Sequence, residues 1–224
     1  MISRQTLAAM IDHTLLRPEA TAADVDRLCD EAVRYQFAAV CVNPVWVARC
    51  AGRLGSSAVR VASVAGFPLG ASRSEVKVAE ARRAIDDGAV EVDMVIHVGD
   101  LIDGNVFAVR DDIAAVAEVV HAASRQHVLK VILETAALTE EQIIAGCRCA
   151  AEAGADFVKT STGFHPAGGA TVEAVRLLCA HAGSMKVKAA GGIRTLDAAL
   201  AMLAAGADRL GCSASVAIVQ QLPV

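Results

Sequence analysis

The stretch Asp156-Phe-Val-Lys-Thr-Ser-Thr-Gly163 places a lysine inside an apolar segment that ends at a glycine. Its apolar and hydroxyl-bearing residues have strand propensity, and Gly154 and Gly163 bound the segment on both sides. Burial lowers the pKa of an amine, which makes Lys159 a candidate nucleophile near neutral pH. Alternatively, Lys159 is structural and either pairs with a carboxylate or extends its ammonium to the rim. The pattern alone leaves both interpretations open.

A second lysine occupies the same kind of setting in Met185-Lys-Val-Lys-Ala-Ala-Gly-Gly-Ile-Arg194. Both stretches, together with the run Val92-Asp-Met-Val95, resemble the deoxyribose-phosphate aldolases, a family of class I aldolases that react through a lysine Schiff base. The resemblance extends from Asp12-His-Thr-Leu-Leu16 to Arg209-Leu-Gly-Cys-Ser213. It implies an enzyme of deoxyribose phosphate catabolism that reversibly cleaves 2-deoxy-D-ribose 5-phosphate to D-glyceraldehyde 3-phosphate and acetaldehyde.

The order of secondary structure predicts an α/β fold, a (β/α)₈ TIM barrel that forms a single domain over residues 1–224. Eight near-continuous apolar strands are each followed by a helix, and Ser72 with Glu75 fits a capping box for the helix after the third strand. An open doubly wound sheet is the alternative, but no dinucleotide glycine fingerprint follows the first strand. The predicted strands are Ile11–Leu16, Ala38–Asn43, Val59–Val64, Val90–Ile96, Val128–Leu133, Asp156–Ser161, Lys186–Ala190 and Asp208–Cys212.

The carboxyl ends of the strands share one face of such a barrel, and catalytic groups gather there. The resemblance implies that Lys159 forms the Schiff base and that Lys188 and Asp93 form a proton relay, with no cofactor and no metal. Alternation along a strand does not distinguish Lys188 from Lys186 or Asp93 from Glu91, and the resemblance makes that choice. The other reading of Asp93 is a counter-ion that only steadies Lys188.

Three further charged residues have no assigned role in catalysis. We interpret Lys186, Glu91 and Lys130 as ion pairs of a lower layer or as groups at the rim.

Glycines before the last two helices predict a phosphate site. Gly191, Gly192, Gly211 and Ser213 offer backbone N–H groups at helix starts, and Arg194 can add charge. The glycine pairs alone also fit ordinary turns. The resemblance adds Gly163 to the phosphate cradle, and it assigns contacts with substrate hydroxyls to Thr162 and Asp12. The chain departs from some family members at Phe164, where they have a lysine, and in lacking a tyrosine near its end.

Composition excludes several other classes of protein. A net charge of −4 without a basic cluster argues against nucleic acid as a partner, and seven scattered cysteines without zinc spacing suit reduced thiols. No apolar run is long enough to span a membrane and the N-terminus lacks the apolar region of a secretory signal, so we expect a cytoplasmic protein. We expect a small-molecule phosphosugar substrate and a homo-oligomer, either a dimer or a tetramer. The alternative function is a phosphosugar-binding barrel, either an isomerase or another Schiff-base aldolase, with a different substrate.

Overall fold

Eight parallel strands pair in sequence order and the first pairs with the last, so the sheet closes into a barrel. The computed structural model describes residues 2–124 and 126–223. The barrel confirms the predicted (β/α)₈ fold. Its strands are β1 (Ile11–Leu15), β2 (Ala39–Val42), β3 (Arg60–Ala65), β4 (Glu91–Val95), β5 (Val128–Ile132), β6 (Phe157–Lys159), β7 (Lys186–Ala190) and β8 (Arg209–Cys212).

Helices cover the outside of the barrel and connect its strands. Several begin where a threonine hydroxyl accepts a hydrogen bond from the first turn, as Thr21 and Thr139 do in complete capping boxes. The helices are α1 (Arg4–Ala8), α2 (Ala22–Tyr35), α3 (Val47–Leu54), α4 (Ser74–Asp86), α5 (Val98–Ile102), α6 (Val106–Ala123), α7 (Glu140–Glu152), α8 (Val172–His181), α9 (Leu196–Ala204) and α10 (Ser215–Val219).

Two local predictions were wrong. The helix after β3 begins at Ser74 and is preceded by Arg73 without a side-chain cap, so Ser72 and Glu75 form no capping box. Tertiary contacts oppose the local signal here, because Lys77 of α4 is fully buried and its Nζ lies 2.6 Å from Asp112 of α6. The sixth strand is also shorter than predicted, since its regular pairing ends at Lys159.

The main apolar core lies between the strands and the surrounding helices, as alternation along each strand requires. Inside the barrel, a smaller cluster of apolar side chains from β2 and β3 includes Cys41, Ala62 and Val64. Val64 stands in register with Asp93 of β4, and residues in parallel register point to the same side of a sheet. The barrel interior is therefore apolar at β2 and β3 and charged at the strands that follow.

No helix within residues 2–124 and 126–223 is long and apolar enough to cross a membrane.

Candidate active site

The Lys159 amine lies at the carboxyl end of β6, beside the strand that carries Lys188 in register with it. The Lys159 side chain is buried, and its Nζ donates a hydrogen bond of 2.8 Å to Oδ2 of Asp93. Burial lowers the pKa of Lys159 and the positive charge of Lys188 lowers it further, while Asp93 opposes both effects. The net effect is a lowered pKa, so the neutral and nucleophilic amine is more accessible than in an ordinary lysine.

The Asp93 carboxylate is the centre of the charged cluster inside the barrel. It accepts hydrogen bonds from Lys130 at 2.7 Å through Oδ1 and from Lys188 at 2.7 Å through Oδ2, besides the bond from Lys159. Burial would raise the pKa of Asp93, but the three ammonium groups outweigh burial and hold this pKa well below its usual range. Asp93 is therefore a carboxylate at neutral pH.

Lys188 is bound by two carboxylates. Its Nζ donates to Asp12 as well as to Asp93. Burial alone would lower the pKa of Lys188, but the two carboxylates raise it above its ordinary value. Lys188 thus stays an ammonium where Lys159 tends to lose its proton. The pKa values of these two lysines on neighbouring strands are shifted in opposite directions, because Lys159 contacts one carboxylate and Lys188 contacts two.

The structure places Asp12 in this cluster and away from the wall of the cavity described below. Its Oδ1 lies 2.6 Å from Arg209, and its Oδ2 accepts from Lys188. Asp12 is fully buried, and these cations hold the pKa of its carboxyl below the usual range against the effect of burial. Lys130 lies 3.8 Å from the same carboxylate, so the side chain predicted to contact a substrate hydroxyl is here a counter-ion for three cations.

The charges inside the barrel do not balance when Lys159 is protonated. Glu91, which belongs to the same cluster, lies 2.6 Å from Lys130 and 3.4 Å from Arg209. Among the described residues of this cluster that are largely buried, three carboxylates then face four cations, and the half-exposed Arg60 adds a fifth cation, 3.1 Å from Glu91. Because an uncompensated charge is costly away from water, this excess of cations favours Lys159 as the group that becomes neutral. The anions are Asp12, Glu91 and Asp93, and the largely buried cations are Lys130, Lys159, Lys188 and Arg209.

A cavity of about 280 Å³ opens above Lys159 on the face formed by the carboxyl ends of the strands. Asp93, Lys188 and Asp12 lie beneath it and do not line it. Arg17, in the loop after β1, is part of the wall and was not predicted. The sequence-predicted residues that line this cavity are Lys159, Thr162, Gly163, Gly191, Gly192, Arg194, Gly211 and Ser213.

Two glycine loops meet at this cavity. Gly163 and Gly191 both have positive φ angles, 84° and 93°, which side chains rarely adopt. A Cβ built on Gly163 would lie 3.3 Å from the Cα of Gly191, so the two backbones approach too closely for larger residues. Glycine at these positions leaves backbone N–H groups accessible near the ends of β6 and β7, as an anion site requires.

Phe164 stands beside the glycine loops, where a lysine would add positive charge. Its side chain is half-exposed and packs edge-on against Phe67, with 5.3 Å between the ring centroids. The only guanidinium groups among the described residues that line the cavity are those of Arg17 and Arg194. Arg17 is also bound by Asp24 at 2.7 Å, whereas no carboxylate within the described part of the chain pairs with Arg194.

Besides Arg17, two residues that shape the site were not predicted to do so. Lys130 was expected to pair in a lower layer, and it does pair with Glu91, but it also contacts Asp93 directly. Glu134, which follows β5, is buried and accepts hydrogen bonds from Thr162. The only indication in the sequence that Glu134 belongs to the site was its position just after a strand, where the functional residues of such barrels lie.

A closed eight-stranded barrel, with a buried lysine of lowered pKa in the wall of a glycine-lined cavity, is compatible with an enzyme that uses an amine as a nucleophile. The chain belongs to the DeoC/LacD family of aldolases, whose family model matches residues 6–221. It is therefore an aldolase, a carbon–carbon lyase.

Named relatives cover nearly the whole chain. The chain is 55% identical over 217 residues to a deoxyribose-phosphate aldolase of Thermococcus gammatolerans, covering 96% of this chain and 95% of the relative. It is 53% identical to one of Kocuria rhizophila, covering 99% of both. A tetrameric deoxyribose phosphate aldolase from Aeropyrum pernix has a similar structure, with a TM-score of 0.91, 35% identity, and coverage of 98% of this chain and 92% of that one.

Proposed function

We propose that this aldolase reversibly cleaves 2-deoxy-D-ribose 5-phosphate to D-glyceraldehyde 3-phosphate and acetaldehyde through a Schiff base on Lys159. The observation that carries the proposal is a single buried amine of lowered pKa in the wall of a cavity whose other residues include glycine loops and Arg194. The phosphate would bind at the glycine loops and the open-chain aldehyde at Lys159. The names of the relatives support this choice of substrate.

The reaction begins when the neutral Lys159 amine attacks C1 of the open-chain sugar, one proton is taken up, and water leaves. The product is a protonated imine, which withdraws electrons from the neighbouring carbon. The C3 hydroxyl then loses its proton, the C2–C3 bond breaks, and the bonding electron pair moves toward the imine to give an enamine. Glyceraldehyde 3-phosphate leaves with C3 as its aldehyde carbon. Protonation of the enamine at C2 and hydrolysis of the imine release acetaldehyde and restore Lys159.

We assign the proton transfers to Lys188 and Asp93. Lys188 is an ammonium and so can supply a proton, and Asp93 is bound to both lysines through the same oxygen, Oδ2. Asp93 is held as a carboxylate, so it can accept a proton and return it during the reaction. Asp12, which is itself bound by Arg209, accepts a hydrogen bond from Lys188 and keeps it in place.

The alternative is a barrel in which both lysines only bind phosphate. Lys188 argues against it, because two carboxylates engage its ammonium and the side chain lies outside the cavity wall. A phosphate group bound in the cavity would contact Lys159 but would not reach Lys188.

Borohydride reduction in the presence of acetaldehyde tests the proposal. We expect one stable adduct, on the peptide that contains Lys159, and none in the Lys159→Ala variant. That variant should keep its circular dichroism spectrum, since removing a costly buried amine need not destabilise the fold. An adduct on Lys188 or Lys130, or no adduct, would contradict the assignment. Turnover of the named phosphosugar is the second measurement, and Lys159→Ala should abolish it.

We also propose that the chain forms a homo-oligomer, which the tetrameric relative from Aeropyrum pernix supports. Sedimentation at several protein concentrations measures this directly. A monomer at micromolar concentration would contradict it.

A further inference from the structure

Glu134 combines an unusual backbone conformation with a buried charge. It lies in the loop after β5 with φ 63° and ψ 56°, in the left-handed region that residues other than glycine seldom occupy. Its side chain is only 2% exposed, and within residues 2–124 and 126–223 no cation lies within 4 Å of its carboxylate. Conformational strain and an uncompensated carboxylate both cost stability. Their coincidence at the edge of the candidate active site points to a functional role.

Among the described residues, Thr162 alone donates hydrogen bonds to the Glu134 carboxylate. The Thr162 hydroxyl donates a hydrogen bond of 2.6 Å to Oε2, and the Thr162 N–H donates to Oε1 at 3.2 Å. The backbone N–H of Phe164 in turn donates to the Thr162 hydroxyl oxygen at 3.1 Å. A carboxylate has no hydrogen to donate, so the direction of the bond between the two side chains is fixed. The single hydroxyl hydrogen of Thr162 is therefore committed to Glu134.

The remaining hydrogen-bonding capacity of Thr162 is one lone pair. A hydroxyl has one hydrogen and two acceptor positions, and Phe164 already uses one acceptor position. Thr162 lines the cavity between Lys159, which would hold the aldehyde carbon, and Gly163, which begins the glycine loops. Toward a substrate, the Thr162 hydroxyl can only accept a hydrogen bond.

We propose that Glu134 is a positioning residue that makes Thr162 an obligatory acceptor, and that the pair thereby selects substrates with a hydroxyl on the carbon next to the phosphate-bearing carbon. The inference rests on the proposed function and adds a determinant of substrate specificity to it. In the cleavage direction this group is the C4 hydroxyl of the sugar. In the synthetic direction it is the 2-hydroxyl of glyceraldehyde 3-phosphate.

Replacement of this hydroxyl by fluorine separates donation from acceptance, because fluorine has similar size but no hydrogen to donate. The assay compares kcat/KM for glyceraldehyde 3-phosphate and for its 2-deoxy-2-fluoro analogue, each with acetaldehyde. In Glu134→Gln, the amide can donate to Thr162 and release the hydroxyl hydrogen toward the cavity. The preference is the ratio of kcat/KM for the hydroxyl substrate to kcat/KM for the fluorine analogue. We expect this ratio to fall about fivefold in Glu134→Gln, because one ordinary hydrogen bond contributes ~1 kcal/mol.

Two further variants control this comparison. Glu134→Asp retains a carboxylate and should retain most of the preference, whereas a purely structural role gives no reason for such a rescue. Ser161→Ala removes a buried hydroxyl of the same segment that has no hydrogen-bond partner among the described residues, and it should leave the preference unchanged. If Glu134→Gln fails to fold, Thr162→Val removes the acceptor itself and should reduce the preference by the same factor.

An equal loss of kcat/KM on both substrates, with an unchanged preference in Glu134→Gln or Thr162→Val, would overturn the inference and leave Glu134 a structural residue. Failure of the proposed function has a different signature. In that case the unmodified chain would form no acetaldehyde adduct on Lys159 under borohydride and would turn over neither substrate.

Discussion

Replacing Lys188 with methionine should raise the pKa of Lys159, because it removes a positive charge bound to the same carboxylate oxygen. The Nζ atoms of Lys159 and Lys188 lie 2.8 and 2.7 Å from Oδ2 of Asp93. If the two nitrogens meet this oxygen at an angle of about 110°, they are about 4.5 Å apart, and unit charges at this separation repel by ~3–4 kcal/mol at an effective dielectric constant of about 20. Since 1.36 kcal/mol corresponds to one pKa unit, the expected rise is roughly 2 units or more.

The pH dependence of imine formation measures this pKa. Acetaldehyde is trapped on Lys159 with cyanoborohydride across a pH series, and the midpoint of the rate gives the pKa of the attacking amine. A raised pKa reduces the neutral fraction at pH 7, so the midpoint should move to higher pH in Lys188→Met. Lys186→Met is the matched control, because Lys186 lies two residues away on β7 but is exposed. A midpoint that stays in place or falls in Lys188→Met, with the fold intact, would refute the electrostatic argument.

Three other predictions concern the same cavity and its charges. Asp93→Asn should reduce turnover by ~10²-fold or more, the usual worth of a proton-transfer group, and near-normal turnover would make Asp93 structural only. Arg194→Ala should raise KM for the phosphorylated sugar by about tenfold, the loss of roughly 1.4 kcal/mol, and should hardly affect unphosphorylated deoxyribose; an equal loss on both would place Arg194 outside the phosphate site. Exhaustive chelation should leave activity unchanged, because the imine supplies the electrophile, and activity lost to the chelator and restored by zinc would contradict this.

The fold was predictable because its signals are local and repeated. Each strand is a short apolar run, and threonines such as Thr139 end the loops by capping the next helix. Eight consecutive pairs of a strand and a helix most commonly close into a barrel. The capping box predicted at Ser72 does not form, because a capping motif in the sequence is only a local signal. Here the packing of the helix, which buries Lys77, outweighs that signal.

The site residues could be predicted where the family resemblance chose between two residues that alternation along a strand leaves equivalent. Lys186 and Lys188 have the same parity on β7, and only the structure places one at the exposed end and the other in the interior. The contacts of Lys130 with Asp93, and of Glu134 with Thr162, join residues at least 28 positions apart. Such pairings depend on the register between strands and on loop conformation, which a single sequence does not specify.

The charged cluster in the barrel also limits which amino-acid substitutions this enzyme can accept during evolution. Asp12, Glu91, Lys130, Lys188 and Arg209 each contact two or more groups of opposite sign, so any single neutral replacement leaves at least two buried partners with one contact fewer. Breaking such a pair costs about 3–5 kcal/mol, a large part of the stability of a typical domain. Leu69 lies exposed in the loop between β3 and α4, and Phe164 lies in the loop after β6. Random mutagenesis one residue at a time should therefore recover improved variants from these two loops, while the interior varies only through compensated double exchanges.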